Sequence, residues 1–159
     1  MMRIGLGYDI HSLALERKLF IGGVEIPYIK GLLGHSDADV LIHAICDALL
    51  GAISEGDIGE HFPDTDPKYQ GISSTELLKL VLVLVSNKGY SICNIDSVII
   101  AQEPGMSPFK NKIQENLAKV LEIDKDSVSI KAKTNEGMGE IGRKEAIACY
   151  AVVLLKRKD

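Results

Sequence analysis

Apolar and polar positions alternate over residues 2 to 9, so the chain is predicted to open on a strand that closes at Asp9-Ile10-His11. Leu19-Phe20-Ile21 and Val24-Glu25-Ile26 flank Gly22-Gly23, the signal of a two-residue hairpin, and Pro27 and Gly31 then break the pattern. From about 38 to 54, Val40, Leu41, Ala44, Ile45, Ala48, Leu49 and Ala52 recur at helical spacing, with Ser36 or Asp37 as the cap and Gly56 as the stop. Residues 55 to 67 read as a loop, stiffened where Pro63 and Pro67 bracket Asp64 and Asp66, of the kind that walls a site. Ser73-Ser74-Thr75-Glu76 has the spacing of a capping box and opens a helix to about Lys88, with Gly89 past its end. Residues 92 to 102 read as a strand, Pro104-Gly105 as a turn, and Ser107-Pro108 as the start of a third helix that ends near Leu121. Val128 to Thr134 alternates as a strand, and Ala146 to Lys156 is a nearly continuous apolar strand.

Strands interleaved with three helices predict an α/β fold, a mixed sheet with the helices packed mainly on one face. The 159 residues suit one domain over 1–159. A net charge of -4 argues against a general polyanion binder, so duplex DNA or RNA is not an expected partner. Cys46, Cys93 and Cys149 are odd in number, far apart and set in apolar runs, which predicts free thiols of a reducing compartment. The chain enters its first strand without a signal peptide, and its longest apolar run, Leu80 to Val85, is too short to span a bilayer. A cytoplasmic enzyme or binding protein is expected.

The candidate chemistry sits between residues 31 and 67, which hold eight carboxylates, three of the four histidines and no Lys or Arg. Such a stretch suits a divalent cation better than a phosphate. Asp9 and His11 are two apart, so on a strand both point to one face and can share an ion. His43 is the candidate third ligand, three protein ligands with an open fourth position being the pattern of catalytic zinc. The competing reading of Asp-x-His is a plain strand end at a turn. Asp39, His43 and Asp47 stand four apart on the predicted helix, so Asp39 or Asp47 can orient the imidazole, unless they form a solvated face. Gly137-Met138-Gly139-Glu140-Ile141-Gly142 spells a dinucleotide-binding pattern, but the residues after Gly142 read as a strand rather than a helix, and that reading is rejected. Glu136, beside Thr134 and Asn135, can share Mg²⁺ with substrate phosphates, or the glycines can simply make a tight turn.

Taken together, Gly7-Tyr8-Asp9-Ile10-His11, Gly22-Gly23-Val24, the run from Lys30 to Val40 around Gly34-His35-Ser36-Asp37, Asp47 to Ala52, Gly56-Asp57-Ile58-Gly59, the Phe62-to-Asp66 turn and Thr134-Asn135-Glu136 resemble the 2-C-methyl-D-erythritol 2,4-cyclodiphosphate synthase family of the non-mevalonate isoprenoid pathway. The resemblance runs from residue 3 to about 155. It implies a lyase that converts 4-diphosphocytidyl-2-C-methyl-D-erythritol 2-phosphate into the cyclic diphosphate with release of CMP. It further implies Zn²⁺ on Asp9, His11 and His43, and Mg²⁺ or Mn²⁺ on Glu136. His35 and Thr134 would steady the phosphates, with Ser36 also in contact. Asp57, Ile58, Gly59, Phe62, Pro63, Asp64, Thr65 and Asp66 would line the methylerythritol pocket. Ala101, Gln102, Glu103, Pro104, Gly105 and Met106, with Ala132, Lys133 and Asn135, would form the cytidine and diphosphate pocket. Members are homotrimers with active sites between subunits and a central cavity.

Two positions depart from the family. Gly105 stands where some members carry Lys, so a phosphate contact there is either missing or supplied by Lys133. Glu140-Ile141-Gly142-Arg143 stands where many carry Phe-Thr-Gly-Arg, which keeps Arg143 as an anion contact but sets Glu140 against a hydrophobic ligand in the cavity. His61 is read as a solvated loop residue, and Lys131, Lys144, Lys156, Arg157 and Lys158 as surface charge. Two rival readings are a metal-dependent phosphohydrolase built from the same ligands and a non-catalytic nucleotide or isoprenoid-diphosphate binding protein.

Overall fold

The computed structural model describes residues 1–158. Strands β1 (Met2–Leu15), β2 (Leu19–Ile21), β3 (Val24–Ile26) and β4 (Lys30–Leu32) precede helix α1 (Val40–Ala52). Then come α2 (Ile58–His61), α3 (Ser74–Asn87), β5 (Tyr90–Ile100), α4 (Lys110–Leu121), β6 (Val128–Lys133), α5 (Gly139–Gly142) and β7 (Ala146–Arg157). Five strands form one sheet in the order β4-β1-β7-β5-β6, and β2 and β3 form the predicted hairpin apart from it. β5 and β6, joined through α4, run parallel; the other pairs are antiparallel, so the sheet is mixed as expected. The first strand does not close at His11 but continues to Leu15, where its end pairs with β4.

The central contact is between β1 and α1. A Cβ added to Gly5 would fall 1.8 Å from the Ala48 carbonyl oxygen, and one added to Gly7 would fall 1.8 Å from that of Ala44. Only glycine lets a helix lie this close to a strand. Ten of the thirteen α1 residues are buried, among them Leu41, Ile45 and Leu49. Burying each of these side chains contributes about 1.5–3 kcal/mol. The opposite face of the sheet is bare, with Ile4, Leu6, Tyr8, Ile10, Tyr150 and Val152 all exposed.

The helix caps differ from expectation. Ala38 takes a left-handed conformation (φ 56°), and the cap of α1 passes to Asp39. Its buried carboxylate accepts from Ile42 N at 3.1 Å, from Gly22 N at 2.9 Å and from Gly23 N at 2.7 Å, pinning the hairpin to the helix. Ser73 caps α3, but Glu76 pairs with Lys79 instead of closing the box. Ser107 caps nothing; residues 107–109 form a single 3-10 turn ahead of α4. The stretch expected to be loop, 55–67, contains α2, whose cap is Asp57. Cys46 and Cys149 are buried, Cys93 is half-buried at a bulge in β5, and all three are free. Among the described residues no helix is long and apolar enough to cross a membrane.

Candidate metal centre and adjoining cavity

Side chains alternate along a strand, so Gly5, Gly7, Asp9 and His11 share the face of β1 turned toward α1. The two glycines bring the helix down until the next inward residue, Asp9, meets His43. Asp9 Oδ2 lies 2.8 Å from His11 Nε2 and 3.1 Å from His43 Nδ1, and the two nitrogens are 3.2 Å apart. Zn–N bonds of about 2.0–2.1 Å in a tetrahedron set ligand atoms about 3.3 Å apart. The triangle therefore has nearly the size of one face of such a site. Among the described residues, no other group of three His, Cys, Asp or Glu converges in this way.

The outer ring nitrogens have partners of their own. His11 Nδ1 is 2.7 Å from the Leu33 carbonyl oxygen, which only accepts, so this nitrogen carries the proton and the neutral ring turns a lone pair at Nε2 toward Asp9. His43 Nε2 faces Ser74 Oγ at 2.9 Å and Ser36 Oγ at 3.2 Å. Neither Asp39 nor Asp47 orients His43: Asp39 is spent on its cap, and Asp47 accepts from Ile58 N at 2.8 Å. Helical spacing places all three on one stripe, but the two carboxylates accept from backbone N–H groups instead. Burial pushes the Asp9 carboxyl up, yet His11 and His43, which donate to it and bring positive charge when protonated, prevail and hold it below the usual carboxylate range. Burial lowers the His11 imidazole, and the Asp9 carboxylate and Leu33 carbonyl more than reverse this, leaving it above the ordinary value. Three lone pairs crowded this closely need either a shared proton or a cation, and a divalent ion satisfies all three.

A cavity of about 360 Å³ opens beside the triangle. Its walls combine Asp9, His11 and His43 with His35 and Ser36, with Ile58, Gly59, Phe62, Pro63 and Asp64, and with Tyr69, Ile72 and Leu77. Asp57, Thr65 and Asp66 are not in this wall. Asp57 caps α2, and Asp66 contributes its carbonyl oxygen, 3.3 Å from His35 Nε2. A larger groove of about 820 Å³ lies between α3 and α4, but it holds no histidine and no cluster of three metal-ligating side chains, so size alone does not mark the site.

The other predicted site residues gather elsewhere. Ala101 N donates to Lys133 O at 2.9 Å, Gly137 N to Gln102 Oε1 at 3.1 Å, and Thr134 Oγ1 to Glu136 Oε1 at 3.0 Å, so residues 101–106 and 132–137 form one continuous edge. Asp9, Cys149, Ile99 and Ala132 stand in register across β1, β7, β5 and β6. Three strand spacings, about 14 Å, therefore separate this edge from the triangle within one chain. Glu136 is exposed and left-handed (φ 51°), a strain that costs about 1–2 kcal/mol. Lys133 is also exposed. Arg143 is bound to Glu145 at 3.0 and 3.2 Å and lies 3.7 Å from Glu140, so its charge is answered within the chain. His61 is half-buried rather than solvated, its Nε2 2.7 Å from the Glu55 carbonyl oxygen.

Several contributors have no local signal in the sequence. Arg17 donates to the carbonyl oxygens of Leu32 at 3.0 Å and Ser36 at 3.2 Å, bracing the loop that carries His35 and bringing a cation beside a stretch that has none of its own. Asp37 and Ser74 pair with each other, and Tyr69, Ile72 and Leu77 complete the cavity.

The sequence profile of the YgbB family matches residues 2–156. A relative from Geotalea uraniireducens named 2-C-methyl-D-erythritol 2,4-cyclodiphosphate synthase is 58% identical over 157 residues, covering 99% of this chain and 100% of its own. One of the same name from Clostridioides difficile is 59% identical over 154 residues, covering 97% and 96%. Among solved structures, the bifunctional IspDF of Campylobacter jejuni superposes with a TM-score of 0.96 at 43% identity; it matches 100% of this chain, which spans 43% of its length. A CDP complex of IspF from Plasmodium falciparum gives a TM-score of 0.87 at 40% identity, covering 99% and 97%. The chain belongs to the YgbB family, among the 2-C-methyl-D-erythritol 2,4-cyclodiphosphate synthases.

Proposed function

We propose that this protein converts 4-diphosphocytidyl-2-C-methyl-D-erythritol 2-phosphate into 2-C-methyl-D-erythritol 2,4-cyclodiphosphate and CMP, as a phosphorus–oxygen lyase. The observation that carries the reading is the triangle of Asp9, His11 and His43 opening onto a cavity walled by Ile58, Gly59, Phe62 and Pro63, in a chain of this family. An oxygen of the 2-phosphate bonds to the β-phosphorus while the bond from that phosphorus to the oxygen shared with the α-phosphate breaks. That oxygen leaves with CMP. No nucleophile from the protein is needed, so positioning and charge neutralisation carry the rate.

Asp9, His11 and His43 are assigned to Zn²⁺ and Glu136 to Mg²⁺ or Mn²⁺; such ions, when bound, neutralise phosphate charge and polarise the phosphoryl oxygens. His35 and Ser36 sit on the cavity wall beside the triangle, where their polar atoms can steady the 2-phosphate. Ile58, Gly59, Phe62, Pro63 and Asp64 enclose the methylerythritol carbons, while Asp57 and Asp66 cap the short helical turns beside that wall. Residues 101–106 with Ala132 and Lys133 hold cytidine, and Thr134 and Asn135 flank the diphosphate.

Adjacent phosphates of one substrate cannot bridge about 14 Å of sheet. The Glu136 edge of one copy is therefore assigned to the metal triangle of the next, in a trimer packed through the bare face of β1 and β7. The three free cysteines favour a cytoplasmic setting.

Incubation with the CDP-linked substrate and Mg²⁺, followed by phosphorus NMR, tests the reading: a cyclic diphosphate and CMP are expected. A linear phosphate would identify a phosphohydrolase instead. Glu136→Gln should blunt the Mg²⁺ dependence of turnover and leave zinc content unchanged; an intact Mg²⁺ response would show the second ion to be misplaced.

A further inference from the structure

We infer that Ser74, oriented by Asp37, is a positioning residue that fixes the tautomer of His43 and thereby the metal affinity of the centre. The inference rests on the reading of Asp9, His11 and His43 as metal ligands. Ser74 is the first residue of α3 and is fully buried, one of only three buried polar or charged residues among those described. Its hydroxyl lies against Asp37 Oδ1 in a close hydrogen bond, and its backbone N–H donates to Asp37 Oδ2 at 3.0 Å. On its other side Ser74 Oγ is 2.9 Å from His43 Nε2.

The protons can be placed by elimination. An ionised carboxylate only accepts, so the single Ser74 proton goes to Asp37. Ser74 Oγ can then only accept from His43, which puts the imidazole proton on Nε2. A neutral imidazole carries one proton, so Nδ1, 3.1 Å from Asp9 Oδ2, keeps its lone pair for an ion. Ser36 Oγ, 3.2 Å from the same Nε2, accepts from Ala38 N at 3.1 Å and keeps a second lone pair with which it can accept from His43 as well. Without Ser74 the proton is free to move to Nδ1 and donate to Asp9, where it occupies the position an ion needs.

This chain of hydrogen bonds also links two segments remote in sequence. Asp37 N donates to Ile72 O at 3.1 Å and Gly71 N to His35 O at 2.8 Å, so the start of α3 and the His35-Ser36 loop are tied together. Ser74 does not line the cavity. Its effect therefore passes through His43.

The test measures zinc affinity of metal-free protein by competition with a chromophoric chelator, together with the ¹⁵N shifts of the His43 ring at about pH 8, above the ordinary histidine range. Wild-type protein should show Nε2–H for His43. Ser74→Ala should bind zinc roughly 10- to 100-fold more weakly, as loss of an outer partner of a ligand histidine does, with Nδ1–H populated in its metal-free form. Ser74→Thr, which keeps the hydroxyl, should recover most of the affinity. Zinc binding by Ser74→Ala as tight as wild type, or Nδ1–H in the metal-free wild type, overturns the inference while leaving the metal reading in place. Wild-type protein that takes up no zinc overturns both. The wild-type spectrum decides the matter even if the alanine variant does not fold.

Discussion

Gly7 and Ala44 touch backbone to backbone: a methyl group on residue 7 would lie 1.8 Å from the Ala44 carbonyl oxygen. His43 is the residue next to Ala44, so the distance between β1 and α1 also sets the distance between two of the three metal ligands. Gly7→Ala must therefore lift the helix. We expect a loss of roughly 1–3 kcal/mol or more in stability, the range for overpacking, together with weaker zinc binding. Gly51→Ala is the control, since a Cβ there meets nothing within 4 Å. That change in an exposed turn of the same helix should stabilise by up to about 1 kcal/mol. Denaturant titration and zinc competition on both variants check the pair; unchanged zinc affinity in Gly7→Ala would show that the ligands do not depend on this contact.

The triangle should make zinc stabilisation depend on pH. In metal-free protein the raised His11 pKa contributes stability that is complete below the unfolded value and is lost as pH rises through the folded one. The lowered Asp9 pKa contributes stability that is present above the unfolded value and is lost as pH falls through the folded one. Metal-free protein is thus favoured between these limits, and alkaline solution removes the His11 share. Zinc must displace the proton on His11, so it binds more tightly as pH rises through that raised value. The increase in Tm on adding zinc should accordingly be larger at about pH 8 than at about pH 6, near the ordinary histidine value, and Asp9→Asn should abolish most of it at both. A zinc shift in Tm that is flat with pH would exclude His11 from the ligand set.

How far the site can be read from the sequence depends on the range of each signal. Asp9 and His11 are legible because strand alternation alone puts them on one face, and the α1 stripe is legible because apolar residues repeat through it. The order of strands and helices is enough to predict the mixed sheet. The cap of α1 is ambiguous because Ser36, Asp37 and Asp39 are all competent caps, and only the left-handed Ala38 and the amides of Gly22 and Gly23 select Asp39. Ser74 is invisible as a partner of His43, since the two are 31 positions apart and no periodicity connects them. The separation of Glu136 from the triangle is equally hidden, because it depends on which strands lie between β1 and β6.

Asp39 holds two elements at once, and an isosteric change should reveal it. Both carboxylate oxygens accept from backbone N–H groups, at 2.7 to 3.1 Å. Asp39→Asn keeps the shape but turns an amide NH₂ toward at least one of those donors, leaving buried groups unpaired at a cost of about 1–3 kcal/mol. Asp39→Ala should cost at least as much through loss of the cap. Hydrogen exchange should show the amides of Gly22, Gly23 and Ile42 losing protection together. Protection lost at Ile42 alone would mean that the hairpin is held by other contacts.

The bare face of the sheet provides the test of assembly. Ile4 and Leu6 are 71% and 66% exposed, and Tyr8 stacks on Tyr150 with ring centroids 4.7 Å apart, so the row is apolar, continuous and clear of the helix-side core. Such a patch is normally covered by a partner. Leu6→Asp places one carboxylate on this face in every copy. The proposed trimer should then sediment as a monomer while the far-ultraviolet circular dichroism is retained, because the Leu6 side chain contributes little to the core of its own chain. Zinc should still bind, since Asp9, His11 and His43 come from one chain. Turnover should fall by more than about 100-fold, as expected when one half of a reacting pair is no longer held against the other. Val83→Asp, at a residue 55% exposed on α3, should leave both assembly and turnover unchanged. A monomeric Leu6→Asp protein with full turnover would mean that the Glu136 edge and the metal triangle of a single chain suffice, and the intersubunit site would have to be abandoned.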